Sequence, residues 1–90
     1  MSVKLIELTK DLVLSQISAD EFETRFFDLW RREGDTGLLA KDSKEVGECL
    51  YIVFDLAERY TSDIDRADYE LDGESLKKEA KAALEKFNFI

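Results

Sequence analysis

The chain has no proline, no histidine and one cysteine, Cys49, among its 90 residues. With no proline, breaks between elements must be read from glycines, polar caps and charge. Without histidine, neither a Cys/His dyad nor a nitrogen-ligated zinc site can be assembled. The lone cysteine excludes an intrachain disulfide framework and suits a reducing compartment. No 18-residue apolar run is present, so no membrane span is expected. The start, Met1-Ser2-Val3-Lys4-Leu5-Ile6-Glu7, lacks the basic stretch and apolar run of a signal peptide, which points to a cytoplasmic protein. Basic residues are also scarce, with 13 Lys and Arg against 21 Asp and Glu and a net charge of −8. That balance argues against nucleic acid or an anionic membrane as a direct ligand, because phosphate binding needs clustered Lys and Arg.

What remains is a chain 44% hydrophobic and 38% charged, too apolar for intrinsic disorder and long enough for one modest core. Residues 1–90 are read as one domain. From Val3 to about Ser15, Leu5, Leu8 and Leu12 share one helical face. Ser18-Ala19-Asp20-Glu21 has the form of a capping box that opens a second helix. Its stripe is Phe22, Phe26, Leu29 and Trp30, with Phe27 at the border, and Arg31, Arg32 and Gly34 close it. A loop then runs to about Lys41. Asp42 or Ser43 caps a third helix, whose apolar set Val46, Cys49, Leu50, Val53, Phe54, Leu56, Ala57 and Tyr60 makes it the most buried. Asp72 caps a fourth, with the stripe Leu76, Ala80, Ala83, Leu84 and Phe87. Four amphipathic segments on short connections, with no strand alternation, predict an all-α fold, a small antiparallel four-helix bundle.

The helical pattern breaks over residues 58–74, where seven carboxylates (Glu58, Asp63, Asp65, Asp68, Glu70, Asp72, Glu74) face two arginines (Arg59, Arg66). This acidic belt holds −5 of the total charge, and clustered charge of one sign steers partners of the other sign. Tyr60, Ile64, Tyr69 and Leu71 interleave with the acids, and aromatics ringed by charge are the usual makeup of a protein-binding hot spot. A plain solvated, solubilising loop is the competing reading.

Other chemistry fits poorly. Paired carboxylates need a pocket that separates their pKa values before they can work as acid and base, and a bundle this small rarely builds one. No enzyme activity and no cofactor are therefore expected. Asp63, Asp65 and Glu74 take the first, third and twelfth places of a calcium loop, but Ala67 and Asp68 stand where an oxygen ligand and a glycine are required. Asp42-Ser43-Lys44 resembles the start of the helix on which acyl carrier proteins present a phosphopantetheine serine. Lys44 stands where those proteins carry an apolar residue, and helix capping explains the pair. A carrier-like protein modified on Ser43 and an acidic adaptor for some other basic protein remain the alternatives.

At Ala57-Glu58-Arg59-Tyr60, at Asp63-Ile64-Asp65-Arg66-Ala67-Asp68-Tyr69-Glu70-Leu71-Asp72 and at Leu84-Glu85-Lys86-Phe87, the sequence resembles the colicin D immunity protein family. Ile17-Ser18-Ala19 with Phe22, and Arg31-Arg32, match in the same register. The resemblance implies a cytosolic inhibitor that binds the C-terminal nuclease domain of a bacterial toxin, one that cuts transfer RNA. It implies that acids at the end of the third helix and in the next loop enter the toxin's basic cleft in place of RNA phosphates. By position these are Glu58, Asp63 and Asp65, with Asp68, Tyr69, Glu70 and Asp72 flanking them. The implied partner is a basic nuclease domain held one to one, in a colicin D-like bacteriocin or a contact-dependent growth inhibition system.

Overall fold

The computed structural model describes residues 3–35 and 44–90. Four helices run in order: α1 Val3–Val13, α2 Ala19–Asp35, α3 Lys44–Arg59 and α4 Gly73–Lys86. They form an antiparallel all-α bundle in which α1 packs on each of the other three and α4 packs on α1, α2 and α3. The expected Asp42 or Ser43 cap of α3 lies outside the described residues.

The periodic stripes turn inward as their spacing requires. Leu5, Leu12, Phe22, Phe26, Leu50, Val53, Leu76 and Leu84 are all fully or almost fully buried. Thr9 is buried among them because its hydroxyl donates to the Leu5 carbonyl one turn back, at 2.8 Å, which satisfies the polar group inside the core. Cys49 is buried too, its thiol facing the Ala83 carbonyl of α4 at 3.9 Å. Burial pushes that thiol up to about 11, so it stays protonated and packs as a small hydrophobe.

Two helix ends differ from expectation. Gly34 does not end α2, which continues to Asp35. α1 stops at Val13 because Ser15 takes a left-handed φ of 61°. Gln16 N–H then reaches the Asp11 carbonyl at 2.8 Å and Ser15 N–H reaches that of Leu12 at 3.1 Å, the paired bonds of a Schellman stop made without glycine. α4 ends the same way, with Asn88 at φ 61° and Phe89 folded back on the core.

Only part of the α2 stripe is fully buried. Phe27, Leu29 and Trp30 are half-buried, and with Phe54 of α3 they build an aromatic flank in which Trp30 and Phe54 lie 4.6 Å apart and Phe27 meets Phe54 edge-on at 5.3 Å.

Phe26 is completely buried and touches Phe22, Phe27, Trp30 and Phe54, so its truncation opens a cavity that the aromatic flank cannot fill. Phe26→Ala and Leu50→Ala are each expected to lower stability by about 2–5 kcal/mol in denaturant titrations. An unchanged midpoint for either would contradict this core.

Candidate functional site

The belt is a loop closed at its base. α3 ends at Arg59, and Tyr60 pairs with Leu71 in an isolated parallel bridge. Leu71 N–H donates to the Arg59 carbonyl at 2.7 Å, and Thr61 N–H donates to the Leu71 carbonyl at 3.0 Å. The ten residues between return to within one hydrogen bond of their start, which makes residues 61–70 a compact Ω-type loop.

Both arginines of the belt are turned onto the loop's own carbonyls. Arg59 Nε donates to the Tyr69 carbonyl at 2.8 Å, and Arg66 Nε donates to that of Thr61 at 3.4 Å. Arg59 also pairs with Asp55 at 3.4 Å, one turn back along α3. Asp63 N–H donates to Thr61 Oγ1 at 3.1 Å, and Glu70 accepts from Ala67 N–H at 2.8 Å while its own N–H meets the Ala67 carbonyl. Asp72 caps α4 as expected, accepting from Ser75 N–H at 2.8 Å. That bond holds its carboxyl below the usual carboxylate range.

The candidate residues therefore separate into two groups. Glu70 and Asp72 are ties that shape the loop and start α4. Glu58, Asp63, Asp65 and Asp68 are exposed, and among the described residues their carboxylates have no hydrogen-bond or ion-pair partner. Tyr69 is 66% exposed and belongs with the second group. Tyr60 does not supply the contact surface its place in the belt suggested. It is buried as the last member of the α3 stripe, because its ring packs in the core while its hydroxyl donates to Asp20 at 2.6 Å.

That contact joins residues 40 positions apart and shows where the belt sits. Ala19 and Gly73, the first residues of α2 and α4, lie so close that a Cβ on Gly73 would stand 3.3 Å from that of Ala19. The N-termini of α2 and α4 and the C-terminus of α3 thus meet at one end of the bundle. The positive ends of two helix dipoles favour carboxylates there. Asp20 and Glu23 both stand within electrostatic reach of Tyr60, so the acidic surface extends from the loop onto α2. Burial and the charge of Asp20 push the Glu23 carboxyl up. No local pattern signals this extension, since Asp20 reads in the sequence only as part of a helix cap. The cap itself is half-formed: Glu21 N–H donates to Ser18 Oγ at 3.1 Å, while the Glu21 carboxylate pairs with Arg25 at 2.6 Å.

Among the described residues no group of three His, Cys, Asp or Glu is placed to hold a metal ion, and no helix is long and apolar enough to cross a membrane. A groove of about 360 Å³ between α1 and α2, lined by Leu8, Leu29 and a mixture of charges, contains no belt residue. The belt is a largely exposed, charged surface, and such a surface suits docking against another macromolecule.

Two pH effects follow. Burial and the nearby Asp20 carboxylate push the Tyr60 phenol up from 10 to about 12, so its share of stability is present below pH 10 and disappears as pH rises towards 12. Tyr60→Phe should remove that alkaline loss in melting curves taken between pH 9 and roughly 12. Asp72 works in the opposite direction, with its share present above the ordinary carboxylate value of 3.8 and lost as pH falls through its lower folded value. Asp72→Asn, which keeps the cap but cannot titrate, should flatten part of the acid-side fall. Curves identical to wild type in both variants would contradict these assignments.

No curated protein matches the chain. A family model described as bacterial self-protective colicin-like immunity matches residues 1–87, nearly the whole chain. With this match over a four-helix chain, this protein belongs to the bacterial self-protective colicin-like immunity family.

Proposed function

We propose that this protein neutralises a transfer-RNA-cleaving toxin of the colicin D type by placing its belt in the toxin's basic RNA-binding cleft. The observation that carries the reading is the arrangement of charge in the loop. Both arginines donate to loop carbonyls, and the exposed carboxylates of Glu58, Asp63, Asp65 and Asp68 have no partner among the described residues. A cleft that holds RNA must be lined with cations, and carboxylates pair with arginine in bidentate fashion as phosphates do.

The mechanism needs no catalysis by this chain. Long-range attraction raises the encounter rate towards about 10⁸–10⁹ M⁻¹s⁻¹, which favours capture of the toxin before it meets RNA. Glu58, Asp63, Asp65 and Asp68 then meet the cleft's cations, and Tyr69 adds contact area at the rim. Glu70 and Asp72 contribute indirectly, by fixing the loop's shape before binding, so that little ordering entropy is lost on docking. The complex in this reading is one to one, formed in the cytoplasm of the producing cell, in either a bacteriocin or a contact-dependent inhibition system.

The test is co-purification with colicin D-type nuclease domains followed by an assay of transfer RNA cleavage. A stable complex and loss of cleavage are expected. Full cleavage with every such domain, and no complex, would refute the proposal. Glu58→Lys with Asp63→Lys should weaken binding by about 2–5 kcal/mol while the helical content and melting point are retained, because like charges then meet across the interface. Unchanged affinity in that folded variant would move the site away from the belt.

A further inference from the structure

We infer that Ile64 is the apolar anchor of this surface, entering a nonpolar socket that lies between basic side chains of the toxin domain. The inference rests on the reading of the belt as the toxin-binding surface. Ile64 is 93% exposed, the highest value among the exposed large apolar residues described. Exposure alone is ordinary for a single apolar residue. What sets Ile64 apart is its mounting.

The loop holds it in place from both sides. Thr61 on its N-terminal side accepts from Asp63 N–H at 3.1 Å, and on its C-terminal side Arg66 reaches back to the Thr61 carbonyl at 3.4 Å. These bonds tie residues 61–66 into a small braced arch with Ile64 on its outside, and the arch stands on the hydrogen bonds that close the loop. A β-branched side chain on such a support has few rotamers to lose on burial. A solubilising loop needs no isoleucine at its tip. Such a residue gains only when covered.

Charge decides what covers it. Asp63 and Asp65 flank Ile64 directly and have no intrachain partner among the described residues, so a matching surface must pair a nonpolar socket with cations on either side. A second copy of the chain would bring belt against belt, and an anionic lipid surface would repel it, since like charges brought together are costly. A basic protein cleft with an apolar recess satisfies both requirements. In such an interface the carboxylates set the association rate and the buried apolar residue sets the dissociation rate.

The experiment uses the full chain against two probes, the C-terminal nuclease domain of colicin D and that of a contact-dependent growth inhibition toxin of the same type, with kinetics followed at several salt concentrations. Ile64→Ala should speed dissociation about tenfold or more, with association rate and salt dependence unchanged. Ile64→Val should stay near wild type. Ile64→Asp separates the two ideas, because it adds a carboxylate to the belt. An anchor role predicts faster association at low salt but weaker affinity. If Ile64→Asp binds as tightly as wild type or tighter, while Asp63→Lys still weakens binding, the anchor is refuted and the belt reading stands. If wild type binds neither domain, the belt reading falls and the anchor with it. Concentration-dependent self-association abolished by Ile64→Ala would also overturn the inference, in favour of a second copy. Melting points of all three variants should match wild type, so a loss of binding cannot be assigned to unfolding.

Discussion

The hydrogen bonds between Arg59, Thr61 and Leu71 hold the acidic end of this molecule together. They bring the end of α3 back to the start of α4 and make the ten residues between them a closed loop. Without that closure the carboxylates would repel one another into an extended, mobile segment. With it, Tyr60 is drawn into the core, Leu71 packs behind it and Asp72 is delivered to the N-terminus of α4 as its cap. Fold and site share this one clasp.

A belt of seven carboxylates and two arginines over residues 58–74 ought to resist compaction, and its internal contacts show how the cost is reduced. Each arginine brings a positive charge into the belt while donating to one of its carbonyls. Glu70 and Asp72 are stabilised by backbone N–H groups, and the dipoles of α2 and α4 place partial positive charge beneath the loop. The remaining acids stay at the surface, where water and salt screen their repulsion. In the proposed function a basic partner relieves that residual repulsion on binding, so the acids would add little to the stability of the free protein and much to recognition.

The helices were legible in the sequence because each carries a 3.6-residue apolar stripe, and α2 and α4 open at a polar residue that accepts an N–H. Leu5, Phe22, Leu50 and Leu76 needed nothing else to be placed. The helix ends were harder. Ser15 and Asn88 adopt a left-handed conformation that sequence rules reserve mainly for glycine, and Gly34, which should stop a helix, lies within one. Within the belt, local rules found the Asp72 cap but not the division of labour among the acids. Whether a carboxylate is a tie or a free group depends on which N–H the folded loop brings to it, as Ala67 is brought to Glu70. The burial of Tyr60 and the addition of Asp20 and Glu23 to the acidic end depend on a contact 40 residues apart, which no local pattern carries.

The central claim is that the belt occupies the same cleft as RNA, and competition tests it most directly. A catalytically inactivated colicin D-type nuclease domain, saturated with labelled transfer RNA, can be titrated with this protein while free and bound RNA are followed by fluorescence anisotropy and sedimentation. Mutually exclusive binding is predicted, with RNA released in proportion to the complex formed and an apparent affinity that falls as RNA concentration rises. A ternary complex of toxin domain, RNA and this protein, with no loss of affinity for either ligand, would contradict the account.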